Sequence, residues 1–571
     1  QISASGPLTE VNAWGVGWQT PRQGGLPASL WNATNASDVA VLLGEIDVNA
    51  LSPAQKSLFS TIIQSAGRPP QGEDSEAAAL RVGHLYALGE GDKARDLQRR
   101  FSHTSWGQPV NQSEADKEFA SGYASAGCAR MEANDNGAEY WLRARPVCFA
   151  LAGDLNAAAL ALEVAQSEGL EDAWLRTSIQ TLATPDGPKP AARFDSGVYT
   201  QISLAAELPV PSNIFDALPA DRILEISQRD DLDEDTKRNA LIKLAELGVL
   251  SAADERRALI ARVASPVEGE TAPAILRSPL EQGVDAVANP ELELADKAAA
   301  LNTALEAHET DAATFFQAAR VLTPELMSMP RERDTAQFAP RFARAALAAG
   351  DTDLARIWRN AMDNPFNEVE PEPVPEPQPL DLLDQAQPEP IDEIGDLIET
   401  VAPVEPPPPP LPPIEHSEWE KARLDALLAI AMNEKDGREV HAAADYLSEL
   451  AGSGKKAKQA EQLLFVLSGM GNGLPPQARK YLTATKPVKL TKKTRATHQA
   501  VEALNRKAIM AERSGALAEA SLLALQTIMQ YRPNHGNDQA LSDALSILSD
   551  SGLSTNASAV ALEAAGLWRV D

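Results

Sequence analysis

The chain has 571 residues and a formal net charge of −30, a balance that repels nucleic-acid phosphates and argues against general nucleic-acid binding. Apolar residues make up 44% of it, enough for a sizeable core, yet no run approaches the roughly 18 apolar residues that a membrane span needs. Aromatics are only 5% while Ala and Leu dominate, which favours helices packed on helices, because small side chains let helix axes approach closely.

Residues 1–30 are rich in Gly, Pro and Gln and read as an extended arm, with Trp14 and Trp18 in "AWGVGWQTP" as anchors that dock on the body. The numbering begins at Gln1 rather than Met; signal-peptide removal leaves such a start, so an exported mature chain is expected. From residue 31 helical periodicity takes over. "NASDVAVLLGEI" opens with polar caps, and "SPAQKSLFSTIIQS" places Ser52 at the N-cap, Pro53 at the first helical position and Leu58, Ile62 and Ile63 on one face.

A weak internal repeat follows. "HLYALGEGDKARDLQRR", "CFALAGDLNAAALALEVA" and "AALAAGDTDLARIWRNAM" share one plan: an Ala/Leu helix ends at Gly, Asp follows, and the next helix carries Ala inward. Gly91, Gly153 and Gly350 are expected to supply the left-handed turn, and Asp92, Asp154 and Asp351 to accept from the exposed N–H groups of the next helix. "RSGALAEASLLALQTIMQYRP" is a further copy without the Asp, in which Gly515, Leu517, Glu519, Ala520, Leu525 and Pro533 fall close to the tetratricopeptide pattern. The spacing is irregular, so the array resembles tetratricopeptide repeats (TPR-like) without their regular period. The expected fold is all-α, a TPR-like solenoid in which neighbouring hairpins bury each other's apolar faces. The cysteine-bearing run, with Trp141 upstream, and "APRFARAALAAGDTDLARIWRNAM" also resemble a group of uncharacterised exported bacterial proteins. Some of that group carry an "antifreeze" label that reflects Ala-rich composition, and the resemblance brings no functional residues.

Composition changes abruptly at Pro365. Residues 365–416 hold sixteen prolines, thirteen Asp/Glu and no Lys or Arg, which reads as a disordered acidic insert with stiff polyproline stretches. Between the proline blocks, "LDLLDQ" and "IDEIGDLIETV" combine acidic and apolar residues, the composition of segments that fold on a partner. The helical pattern resumes at "SEWEKARLDALLAIAM". The organisation is therefore an arm (1–30), a helical repeat region (31–364), the acidic linker (365–416) and a second helical region (417–571) that packs on or continues the first. The latter carries a basic cluster in 455–458 and 478–495, available to an acidic partner, to an anionic surface or to the insert itself.

Motifs for chemistry are sparse. The histidines at 84, 103, 308, 416, 441, 498 and 535 include no pair three or four apart, so no zinc site is expected. "AGSGKKAK" lacks the first Gly and the Ser/Thr of a phosphate loop. Two Asp-Ser-Gly triplets, at Asp195 and Asp550, would suit a two-carboxylate protease only on turns between strands; "SDALSILSDSGLS" reads instead as a helix end stopped by Gly552. The two cysteines, Cys128 and Cys148, are either buried thiols on an Ala-lined helix or a bridge between adjacent helices. Their even number, their closeness in sequence and the processed start favour the bridge. Cys148 lies further past the intervening turn than Cys128 lies before it, and Pro146 is the residue that can reduce this offset.

No catalytic residue, cofactor or metal is expected. The function expected is a non-enzymatic scaffold of the bacterial periplasm that binds protein partners. An enzyme or accessory acting on the cell wall is the alternative, and a nucleic-acid binder using residues 455–495 a third reading. Loop-closure entropy grows slowly with length. Replacing residues 365–416 by a short Gly/Ser linker should accordingly leave the thermal midpoint within about 5 °C, measured by circular dichroism.

Overall fold

The computed structural model describes residues 13–19, 25–72, 75–100, 107–133, 138–211, 213–216, 218, 220–260, 278–363, 414–452, 456–484, 490–533 and 535–569. The expected acidic insert lies outside the described residues except at 414–416, where His416 Nε2 sits 3.0 Å from the Ala336 carbonyl.

Helices dominate, and among the described residues the only extended pairing is two isolated bridges, Gln19 to Ser65 and Asn35 to Gln71. The N-terminal stretch forms α1 (Ala36–Gly44), α2 (Pro53–Gln64), α3 (Ser75–Ala87) and α4 (Gly91–Arg100). A middle stretch follows with α5 (Gly107–Ala120), α6 (Ala124–Ala133), α7 (Glu139–Leu151), α8 (Leu155–Ser167), α9 (Ala173–Ala183), α10 (Gly197–Ala205), α11 (Ala220–Ser227), α12 (Glu234–Glu246) and α13 (Ala252–Ile260). Then come α14 (Pro279–Ala288), α15 (Leu294–Glu306), α16 (Ala312–Ser328), α17 (Arg333–Ala336), α18 (Ala339–Ala348) and α19 (Thr352–Ala361). The last stretch holds α20 (Glu418–Met432), α21 (Arg438–Ala451), α22 (Ala457–Gly469), α23 (Pro476–Ala484), α24 (Lys492–Arg513), α25 (Leu517–Gln530), α26 (Asp538–Asp550) and α27 (Ser554–Ala564).

Local sequence explains many of the joints. Ser52 and Gln55 form a reciprocal capping box that starts α2, with Pro53 at its first position. Gly153 (φ 82°) and Gly350 (φ 84°) make the left-handed turns between α7 and α8 and between α18 and α19. Asp154 and Asp351 then accept from Ala157 N and Leu354 N, each at 2.9 Å. The first copy is displaced from its expected register. Gly89, not Gly91, adopts the positive φ (78°), and Asp92 lies inside α4 rather than capping it. In "GEGD" the helix ahead ends two residues earlier than in the other copies, so the first glycine takes the turn. At Gly197 the constraint is contact instead: a Cβ there would lie 1.7 Å from the Asp116 carbonyl of α5.

Adjacent helices pair throughout, as in α7 on α8, α14 on α15, α18 on α19 and α24 on α25. The helices flanking the acidic segment pack as their matching faces require: Arg359 of α19 holds Asp425 of α20 through two bonds of 2.7 and 2.8 Å. Long-range packing then gathers three separate stretches into one apolar cluster, from Ala13 to Leu97, from Leu280 to Met362 and from Trp419 to Leu567. The middle stretch keeps two clusters of its own, one around Trp141, Phe119 and Ile202 and one around Phe194, Ile223 and Leu244. The ends of the chain meet directly: α1 and α2 pack on α25, and α2 packs on α27. Ala518 N donates to the Leu30 carbonyl at 3.1 Å across this seam.

The N-terminal strap is pinned by one residue. Trp14 is fully buried, its ring centroid 4.7 Å from that of Trp31. The Arg81 guanidinium of α3, also fully buried, lies 5.4 Å from the Trp14 ring and donates to the carbonyls of Ala13, Val16 and Ile63. Burial pushes its pKa down to about 9, so it stays charged at neutral pH while its partners are backbone dipoles. Arg81→Met should cost about 3 kcal/mol in urea unfolding, because the three carbonyls lose a buried donor, and should raise proteolysis at residues 13–19.

Candidate interaction surfaces

Cys128 of α6 and Cys148 of α7 stand at disulfide distance, with Cα atoms 5.7 Å apart and sulfurs at 1.98 Å. α7 runs through Pro146 without ending, and the far position of Cys148 along it still meets α6. Trp141 lies fully buried beneath this pair. On the adjoining α7–α8 pair, Leu160 and Val164 of α8 are 63% and 39% exposed, and Phe149 of α7 is 37% exposed.

A second surface runs beside α24. Two clefts share Gln530: one of about 460 Å³ against Ala500, Ala503, Leu504 and Lys507 of α24, the other of about 640 Å³ against Thr497, Arg532, His535 and Arg569. The first cleft is lined by Ala500, Ala503, Leu504 and Met529 with Lys507, and Arg532 and Arg569 line the second. The first also draws on the other end of the chain, because Glu45 lines it and is held by Gln526 Nε2 at 3.2 Å. Near Lys507, Glu519 is shifted upward by burial and by Asp38. Arg495, Arg506 and Arg513 are exposed along the same helix. Of the basic cluster expected at 455–458 and 478–495, residues 455 and 485–489 lie outside the described residues. Lys456 sits with its ammonium 5.5 Å from the Trp419 ring.

A third concentration of charge is spent internally. Arg344 of α18 and Arg423 of α20, both buried, converge on the last turn of the chain. Arg344 donates to the carbonyls of Leu567 and Arg569 at 3.0 and 2.9 Å, and Arg423 to those of Gly566 and Arg569 at 2.7 and 3.0 Å. Arg344 also reaches Glu309 at 2.6 Å, which Arg341 clasps from the other side. Burial, then the neighbouring Arg423, pushes the Arg344 pKa down to about 10, with Glu309 opposing. A cleft of about 330 Å³ opens beside the cluster, but these donors already hold carbonyls and Glu309, which makes the cluster a clamp on the C-terminal turn.

Two of the histidines and both Asp-Ser-Gly triplets make structural contacts. His84 and His308 face the carbonyls of Leu43 and Ala304 at 2.9 and 2.8 Å. Of the Asp-Ser-Gly triplets, Ser196 caps α10 and Asp195 pairs with Arg193 at 2.6 Å, while Asp550 ends α26 and Gly552 turns the chain with φ 91°. Among the described residues no cluster of His, Cys, Asp and Glu could hold a metal ion, and no helix is long and apolar enough to cross a membrane. Compared with known proteins, the chain matches no family model, no curated protein and no solved structure.

Sequence reasoning singled out the cysteines, which the fold brings together. It did not single out Arg81, Arg344 or Glu563, whose signal is a charge inside an Ala-rich helix, as in "SAVALEAAGL". Peptide mass spectrometry of the unreduced protein should find Cys128 linked to Cys148. Cys128→Ser with Cys148→Ser should lower the stability of the α5–α10 region by about 3 kcal/mol on the chain-entropy scale, read as earlier urea unfolding.

Proposed function

We propose that this chain is a non-enzymatic interaction scaffold of the bacterial cell envelope, working in the periplasm. Its stacked hairpins act as a TPR-like array, and the surface beside α24 takes an acidic amphipathic helix of a protein partner. The reading is carried by that surface: in a chain of net charge −30, Ala500, Ala503, Leu504 and Met529 line one cleft with Lys507, and Arg532 and Arg569 line the adjoining one, a setting that suits such a helix even though Glu45 lines the first cleft and Arg532 also donates to the carbonyls of Met529 and Tyr531. Amphipathic helices bind in this way, burying an apolar stripe while charged flanks set orientation and on-rate. The repeated glycine turns ahead of α8, α19 and α25 support the array. The cysteine pair at disulfide distance supports an oxidising compartment, and the resemblance to exported bacterial proteins points the same way.

The chain's own "IDEIGDLIETV" (391–401) has the required chemistry and serves as a probe. As a labelled peptide it should bind the whole protein in a salt-sensitive way, and Lys507→Glu with Arg532→Glu should weaken binding about tenfold, a loss of roughly 1.4 kcal/mol. The circular dichroism spectrum of the variant should match the wild type. Binding that ignores both substitutions would remove this surface from the proposal. Digestion of purified cell wall by the protein would replace the scaffold by the wall-acting alternative.

A further inference from the structure

The middle of the chain has its own apolar clusters, around Trp141 and around Phe194, separate from the large cluster that joins the other stretches. Where this module meets the rest, α13 lies on α16, and two ion pairs of opposite sense form between them. Arg320 of α16 donates to both oxygens of Glu255 of α13, at 2.8 and 2.7 Å. Arg256, the next residue on α13, donates to both oxygens of Glu325 of α16, at 2.8 and 2.6 Å, and to the Val321 carbonyl at 2.5 Å. Glu255 is fully buried and Glu325 nearly so. Beside these pairs, α11 packs on α3, and Lys56 reaches the Leu247 carbonyl at 3.0 Å. The Lys117 ammonium lies 3.4 Å from the centre of the Tyr86 ring, and Leu259 and Ile260 at the end of α13 touch the large cluster.

We infer that α13 on α16 is a conformational latch: the reciprocal pairs dock the module α5–α13 in one register, and the module leaves and returns as a folded unit. The register follows from the order of the charges. Glu255 and Arg256 are neighbours, whereas Arg320 and Glu325 stand about 7.5 Å apart along α16. Sliding α13 by that distance one way brings Glu255 to Glu325, and sliding it the other way brings Arg256 to Arg320. Either slip sets like charges together in a buried contact, so only the observed register is stable. Both guanidiniums meet their carboxylates through two parallel bonds, which fixes orientation as well as position.

The ease of opening follows from what docking removes from water. Four charged groups are desolvated, at a cost comparable to what their mutual attraction returns. Opening gives both members of each pair back to water together and leaves no charge stranded. The clusters around Trp141 and Phe194 and the large cluster depend on apolar burial instead, and each survives the separation. The latch therefore opens at a smaller cost than the unfolding of either side. Its state sets where the exposed Leu160 and Val164 of α8 stand relative to the rest of the molecule.

The test combines hydrogen exchange by mass spectrometry with small-angle X-ray scattering, both on the full chain. Arg320→Met strands Glu255 in the docked form and should favour the open one. Protection of α13 peptides should then fall on the order of tenfold and the radius of gyration should rise, while peptides from α7 and α25 keep their protection. Exchanging the charges, Glu255→Arg with Arg320→Glu, should restore the compact particle and most of the α13 protection. Four results would overturn the latch: unchanged protection of α13 in Arg320→Met, lost protection with an unchanged radius of gyration, an equal loss in α7 and α25, or an exchanged pair as open as Arg320→Met. Should Arg320→Met fail to accumulate, the wild type in urea below its main transition decides. There α13 should lose protection and the particle expand before α7 or α25 exchange, and simultaneous loss of all three would sink the proposal.

Discussion

A helix hairpin of Ala and Leu has two apolar sides and can bury only one against its own partner. Everything in this fold follows from where the second side goes. In the middle of the chain it goes to the next hairpin, and the clusters around Trp141 and Phe194 stay local in sequence. The first and last described helices meet each other instead. The chain sets α1 and α2 against α25 and α27, so that these helices cover each other's exposed faces.

Closing the ends places strict demands on polar groups. Backbone carbonyls in the strap before α1 and in the turn after α27 have no helical partners and would be costly to bury unpaired. Arg81 satisfies the first set, and Arg344 and Arg423 the second, each by turning a guanidinium inward onto several carbonyls at once. A planar group with five donors suits this task better than an ammonium would. At the seam itself the logic is reversed. The start of α2 offers unpaired N–H groups, and Glu563 supplies the acceptor from the opposite end of the chain.

Charge then divides the molecule's surfaces. The buried arginines are consumed by carbonyls and by Glu309, whereas the cations along α24 remain at the edge of a cleft. Residues far apart in sequence build the same cleft, since Glu45, just after α1, lines it together with Leu504 and Lys507 of α24.

Much of the local structure was legible in the sequence. Ser52 with Pro53 announces the start of α2, and the Gly-Asp steps at 153–154 and 350–351 announce turns, because left-handed backbone and an N-cap oxygen each select few residue types. The pairing of Cys128 with Cys148 could be argued from their number and separation, although α7 had to run through Pro146 for it to form. The register at Gly89 was not legible, since "GEGD" offers two glycines and the length of the preceding helix chooses between them. The partners of Arg81, Arg344 and Glu563 were beyond sequence reasoning altogether. A charge in an Ala-rich helix says that something must satisfy it, but only the closure of distant segments decides whether that partner is a carbonyl of the N-terminal strap, the last turn of the chain or the first turn of α2.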